Sequence, residues 1–157
     1  MITFRPIELE DKVRVQRYTL DSTRRNCDLS FVNLYSWRFL YLTQLAEKDG
    51  FLLFRFYVDN ELAYLMPVGQ GDIKAIVGEL MADADRQGAP FRLLGVCADM
   101  CDELEQAFPG RFTFTSDRDY SDYIYLRSDL ATLHGKKFQA KRNHINRFRS
   151  LYPDYEY

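Results

Sequence analysis

Phe51-Leu52-Leu53-Phe54-Arg55-Phe56-Tyr57-Val58-Asp59-Asn60-Glu61-Leu62-Ala63-Tyr64-Leu65-Met66-Pro67-Val68 decides the fold. Two runs of aromatic and aliphatic residues flank Asp59-Asn60, a pair that suits a tight turn. The stretch predicts two neighbouring strands, 51–58 and 61–68. Upstream, Lys48-Asp49-Gly50 marks another turn, with a partner strand over 42–46. Downstream, Gly69-Gln70-Gly71-Asp72 leads into a helix over 73–87, with Asp72 as its cap.

Working outward, the chain opens with a strand over 2–7 and a helix over 11–21. Ser30 caps an aromatic-rich helix over 31–42. A strand over 91–97 precedes a helix over 99–107, which Pro109-Gly110 stops. Two further strands, 111–115 and 120–127, lead to a basic helix over 136–151. Helices are interleaved with strands, and several strands join by tight turns. This order predicts an α+β fold with a mixed, mostly antiparallel sheet flanked by helices.

The chain has 157 residues, enough for one domain with a sizeable core, and 46% of them are hydrophobic. Its formal charge of -2 gives no global attraction to nucleic acid or membranes, so any such binding must be local. The longest apolar runs are too short to span a bilayer, and the start lacks a signal-peptide layout. Three cysteines, Cys27, Cys97 and Cys101, favour reduced thiols and a cytoplasmic setting. Cys97 and Cys101 lack a second ligand pair, and His134 and His144 stand ten apart, so no metal site is expected. No P-loop, Gly-x-Ser-x-Gly elbow or dinucleotide fingerprint is present. Acid pairs such as Asp83 and Asp85 read as solvated helix faces.

The last long segment is the chemically distinctive one. Tyr123 and Tyr125 share a strand face by the period of two. Beyond His134-Gly135, the helix carries six Lys or Arg between 136 and 149 and no acid. Phe138, Ile145, Phe148 and Tyr152 fall on one helical face, which is expected to pack against the sheet. Lys141 lies within that apolar stripe, flanked by Lys137 and His144, with Arg142 at its edge. Such a lysine either snorkels or pairs with an acid, or else offers charge to an anion in a cleft. Clustered cations repel one another without an anionic partner; Asp119, Asp122 and Asp129 are internal candidates. Tyr123 and Tyr125 are half-buried sheet residues or a stacking platform for a base. His144 is the candidate general base or, alternatively, a donor to phosphate, because an imidazole can exchange a proton under mild conditions.

Asp122-Tyr123-Ile124-Tyr125, Leu133-His134-Gly135-Lys136-Lys137 and Lys141-Arg142-Asn143-His144, followed by Phe148, resemble the DUF2156 family. That family is the C-terminal domain of phosphatidylglycerol lysyltransferases and their soluble relatives. Cys27-Asp28-Leu29-Ser30-Phe31-Val32-Asn33-Leu34-Tyr35-Ser36-Trp37 resembles a further hallmark of it. The resemblance implies two units of the Gcn5-related N-acetyltransferase (GNAT) fold in tandem. The element order here is that of one such unit, so residues 1–157 are expected to be a single GNAT-like domain, the N-terminal half of a tandem. A second GNAT-like domain is therefore expected.

The implied activity is transfer of an aminoacyl group from aminoacyl-tRNA to an amine, peptide or lipid-headgroup acceptor. Lys137, Lys141, Arg142, His144, Tyr123 and Tyr125 are then the expected substrate or anion contacts. An acyl-coenzyme A N-acyltransferase is the alternative. In GNAT enzymes the loop at Gly69 and Gly71 would hold the pyrophosphate on backbone amides. Asp72 works against this, because its carboxylate competes at the helix start. A non-catalytic GNAT-like binding half-domain is the third reading.

Overall fold

The computed structural model describes every residue except Asp21, Thr23, Arg25 and Tyr157. The chain divides into two compact units, Met1–Tyr120 and Ser121–Tyr157. The first holds a six-stranded sheet: β1 (Arg5–Pro6), β2 (Gln44–Lys48), β3 (Phe51–Val58), β4 (Glu61–Leu65), β5 (Val68–Gly69) and β6 (Leu93–Leu94). Strand order is β1-β2-β3-β4-β6, with β5 pairing to β3. All pairs are antiparallel except β4 with β6. The fold is thus the expected mixed, mostly antiparallel sheet flanked by helices, consistent with a GNAT-like arrangement.

The β3–β4 hairpin forms with the expected register, Val58 opposite Glu61. Asp59 and Asn60 both take positive φ, 53° and 64°, which matches the twist of a two-residue hairpin turn. Alternation along β3 sorts its side chains to two cores. Phe51 and Leu53 join Ile76, Val77 and Leu80 of α4 (Ile73–Arg86) and Met100 and Leu104 of α5 (Ala98–Ala107). Leu52 and Phe54 join Val15 of α1 (Lys12–Thr19) and Phe31 and Leu34 of α2 (Phe31–Ser36). Each such side chain, fully buried, contributes about 1.5–3 kcal/mol by transfer from water. Two expected caps are in place: Ser30 Oγ accepts from Asn33 N at 3.2 Å, and Asp72 Oδ1 from Ala75 N at 3.0 Å.

Several expected elements are shorter or absent. The opening strand pairs only through Arg5 and Pro6. The helix over 11–21 spans Lys12–Thr19, and its expected end at Asp21 lies outside the described residues. The aromatic-rich helix breaks at Trp37; α3 (Arg38–Tyr41) follows and ends at Leu42 in the left-handed region, so β2 starts only at Gln44. Pro67, which has no N–H for a ladder, separates β4 from β5. The strand over 91–97 shrinks to Leu93–Leu94, its stretch that pairs with β4.

The strand pair over 111–115 and 120–127 does not form among the described residues. A strand needs a neighbouring strand for its N–H and C=O groups, and among the described residues no ladder forms at these segments; Arg111 N and Tyr120 N donate instead to the nearby carbonyls of Phe108 and Asp117. A 3-10 turn at Arg118–Tyr120 and the helix α6 (Arg127–Thr132) occur instead.

The second unit consists of α6, a 3-10 turn at Lys136–Phe138 and α7 (Gln139–Leu151). The basic helix is therefore present over the expected span. Its apolar stripe differs from expectation beyond Phe138, which is buried. Ile145, Phe148 and Tyr152 are 39%, 47% and 58% exposed. The Phe148 ring stacks locally, 5.1 Å from the rings of both Tyr152 and Tyr155.

Candidate anion-binding site

The 121–157 segment carries seven Lys or Arg against four acids, although the whole chain is acidic. Its framework is a sharp connection between two helices. α6 ends where Leu133 adopts φ 49°, and Gly135 follows at φ 89°. The carbonyls at that end lack helical partners. Arg142 supplies them: its Nη1 donates to Leu133 O, and to Gly135 O at 2.8 Å. Arg142 thus ties the connection to the first turn of α7, and part of its donor set is already used.

Lys137 Nζ pairs with Asp129 Oδ2 at 2.9 Å and lies 4.8 Å from the Phe138 ring centroid. Asp129 was one of the acids expected near this helix. Lys141 Nζ stands 4.8 Å from the centroid of the Tyr125 ring, a cation–π contact. The structure therefore brings Tyr125 and Lys141 together. Tyr123, 81% exposed, and His144, also exposed, take no part in these contacts. Lys136 in the 3-10 turn and Lys141, Arg147 and Arg149 on α7 remain exposed. Such a row can hold a polyanion through several weak, salt-sensitive contacts.

The loop at Gly69 and Gly71 has a packing role of its own. A Cβ on Gly69 would lie 2.1 Å from Gly50 O, and one on Gly71 2.7 Å from Phe51 Cε2. Both glycines let the loop close against the β2–β3 turn. The adjoining helix start is occupied by the Asp72 carboxylate on Ala75 N.

Sequence reading missed three features of the first unit. Asp83 is buried at 3% exposure rather than solvated, and binds Arg55, Tyr64 and Arg86. Its spacing gave the signal: it lies three residues after Leu80 and seven after Ile76, both on the apolar face of α4. Arg24 Nη1 donates to Met66 O and Pro67 O beyond the end of β4. Asn26 Nδ2 donates to Gly95 O beyond the end of β6. Burial lowers the Arg24 pKa, opposed by Glu103 and Asp99. These two side chains stitch the carboxyl ends of the parallel pair, the place where open α/β sheets commonly bind ligands. Among the described residues, no group of three or more His, Cys, Asp or Glu can hold a metal ion, and no helix is long and apolar enough to cross a membrane.

The basic segment and strands β2 to β6 fall within a match to the family model for the phosphatidylglycerol lysyltransferase C-terminal region, over residues 21–157. The chain belongs to the phosphatidylglycerol lysyltransferase C-terminal family. A crystal structure of a conserved protein of unknown function from Bacteroides thetaiotaomicron VPI-5482 is similar to it at 61% identity and a TM-score of 0.92. The similarity covers 99% of this chain and 53% of that one, so this chain spans about half the length of its solved relative. The search of curated proteins gives no match. Membership in the family places the chain among transferase-like domains, and α7 with its cation row lies inside the matched region.

Proposed function

We propose that this chain is part of a cytoplasmic aminoacyltransferase that takes an aminoacyl group from aminoacyl-tRNA and passes it to an amine or hydroxyl acceptor. The observation that carries this reading is α7: a family-matched helix whose Lys and Arg row contains no acid and remains largely exposed. In the reaction, an acceptor N or O attacks the ester carbonyl of the donor. The acceptor loses its proton, and the tRNA ribose oxygen leaves and gains one. No covalent enzyme intermediate is needed; positioning of the two substrates supplies much of the acceleration. Lys136, Lys141 and Arg147 contact phosphates in this scheme. Tyr125 fixes Lys141, and Arg142 holds the helix connection. His144 is the proposed proton acceptor.

A salt titration of tRNA binding tests the reading. The expected result is a linear fall of log K with log salt. A Lys136→Ala, Lys141→Ala, Arg147→Ala variant should reduce the slope by about 2–3, close to one unit per lost contact. Absence of binding at low salt would overturn it.

A further inference from the structure

Arg111-Phe112-Thr113-Phe114-Thr115 follows α5 with the alternation of a strand, yet it belongs to no sheet. Aromatic contacts hold it on one face. The Phe112 ring stands 6.2 Å from that of Phe91 and 5.7 Å, edge-on, from that of Phe108. Phe114 follows at 6.4 Å from Phe112 and is 43% exposed. By the period of two, Arg111, Thr113 and Thr115 share the other face, and all three are exposed.

The backbone of this segment has an open side. Arg111 N donates to Phe108 O at 3.1 Å. Successive N–H groups of an extended chain point to opposite sides, so those of Phe112 and Phe114 point away from that bond. Among the described residues, neither Phe112 nor Phe114 has a backbone hydrogen-bond partner. A pinned strand with unpaired N–H and C=O groups is a template for another strand.

The sequence is complementary to itself. Place a two-fold axis at Thr113 and run a second copy antiparallel. Phe112 then falls opposite the second copy's Phe114, and the reverse, so aromatic residues pair on one face. Arg111 falls opposite Thr115 and diagonal to Asp117, which is exposed and on the same face. Opposite charges therefore meet on both sides of the axis, and no like charges are opposed. Moving the axis by half a residue would set Phe against Thr and break the match of faces. In the Thr113 register, Phe112 and Phe114 form the hydrogen-bonded pairs, and these are the residues whose backbone groups are open.

We propose that residues 111–115 form the two-fold interface of a homodimer, in which the segments of two copies pair as antiparallel strands centred on Thr113. An isologous contact of this kind closes at two copies. Little ordering is required, because the rings already hold each strand in place. The interface uses no residue of α7, so it stands whether or not α7 binds tRNA.

Sedimentation velocity of the 157-residue chain over a concentration series tests the proposal. The mass should rise from monomer to dimer and go no further. Arg111→Asp should weaken the dimer by about 2–30-fold, through the cross-strand charge pairs lost on both sides of the axis, with an unaltered far-UV spectrum. Combining Arg111→Asp with Asp117→Arg should restore the dimer, which a misfolded variant cannot do. Cross-linking reads the register in a Cys27→Ser background. Thr113→Cys should join its own counterpart on mild oxidation, because a non-hydrogen-bonded antiparallel pair sets the Cα atoms about 4.5 Å apart. Thr115→Cys should not, because its counterpart lies four residues along, roughly 14 Å away. Peptide mass mapping identifies the linked residues. A chain that is monomeric at every concentration overturns the proposal. So does a dimer that Arg111→Asp does not weaken, or one that Thr113→Cys fails to cross-link.

Discussion

The Tyr64 hydroxyl on β4 donates to Asp83 Oδ2 on α4 at 2.9 Å, in the core between sheet and helix. Arg55 Nη1 donates to the same oxygen at 2.8 Å, and Arg86 Nη2 to Oδ1 at 3.2 Å. Burial first, then the bond to Asp83, pushes the Tyr64 pKa up, so the phenol remains a donor well into the alkaline range. Removing the Asp83 carboxylate leaves Arg55, whose side chain is 14% exposed, without its counter-charge. Asp83→Ala should therefore destabilise the chain by about 3 kcal/mol. Tyr64→Phe should cost about 1–2 kcal/mol. Urea denaturation checks both, and an Asp83→Ala midpoint equal to wild type would refute the account.

The Arg5–Asp11 pair gives a pH dependence. Arg5 Nη1 and Nη2 reach the Asp11 carboxylate at 2.8 and 2.5 Å, and Glu8 N donates to it at 2.9 Å. The hydrogen bond from Arg5 chiefly lowers the Asp11 pKa, against the opposing effect of burial. A carboxylate lowered in the folded state contributes stability above its unfolded pKa of about 3.9. That contribution is lost as pH falls through the folded value. Stability measured against pH should therefore fall in acid, and Asp11→Asn should flatten part of that limb while costing stability at pH 7. Parallel acid limbs in the two proteins would show that Asp11 does not contribute.

Gly69→Ala separates packing from ligand binding at the β5–α4 loop. The added Cβ would meet a backbone oxygen, Gly50 O, at 2.1 Å, and backbone cannot swing aside as a long side chain can. The backbone also sits at φ 147°. A loss of more than about 2 kcal/mol is expected, from strain and displacement of the β2–β3 turn. Wild-type thermal stability in this variant would mean that the loop relaxes freely and that close packing is not what the glycine serves.

How far the sequence reveals this structure depends on where each element gets its information. β3 was legible residue by residue, because its neighbours β2 and β4 join it through local turns and its alternation points to two cores. The Ser30 and Asp72 caps were legible because a cap is settled within three residues. The 111–127 region was not: a strand pattern there specifies a face but supplies no partner for the backbone. Asp83 was legible from helical spacing and was read as solvated because of its charge. Arg24 left no sequence signal, since only the folded ends of β4 place the carbonyls it bonds. At the candidate site, the basic row of α7 was visible at once. The division of labour within it was not, because the cations belong together in sequence but meet different partners in space.

Arg142 makes that division testable. Sequence groups it with Lys141 as an anion contact, whereas the fold uses it to satisfy the carbonyls of Leu133 and Gly135. Hydrogen bonds from a charged donor are worth about 1.5–3 kcal/mol, less where exposed. Arg142→Ala should therefore loosen the α6–α7 connection, seen as faster amide exchange in residues 135–138. Arg142→Lys should restore protection only in part, because both bonds come from Nη1, whose two N–H groups are fixed in the guanidinium plane, whereas an ammonium sits on a shorter stem with freely rotating donors. Lys141→Ala, which removes only a cation–π contact with Tyr125, should leave exchange nearly unchanged and weaken polyanion binding. If Arg142→Lys exchanges like wild type, positive charge alone suffices at that position, and Arg142 returns to the anion-binding row with its neighbours.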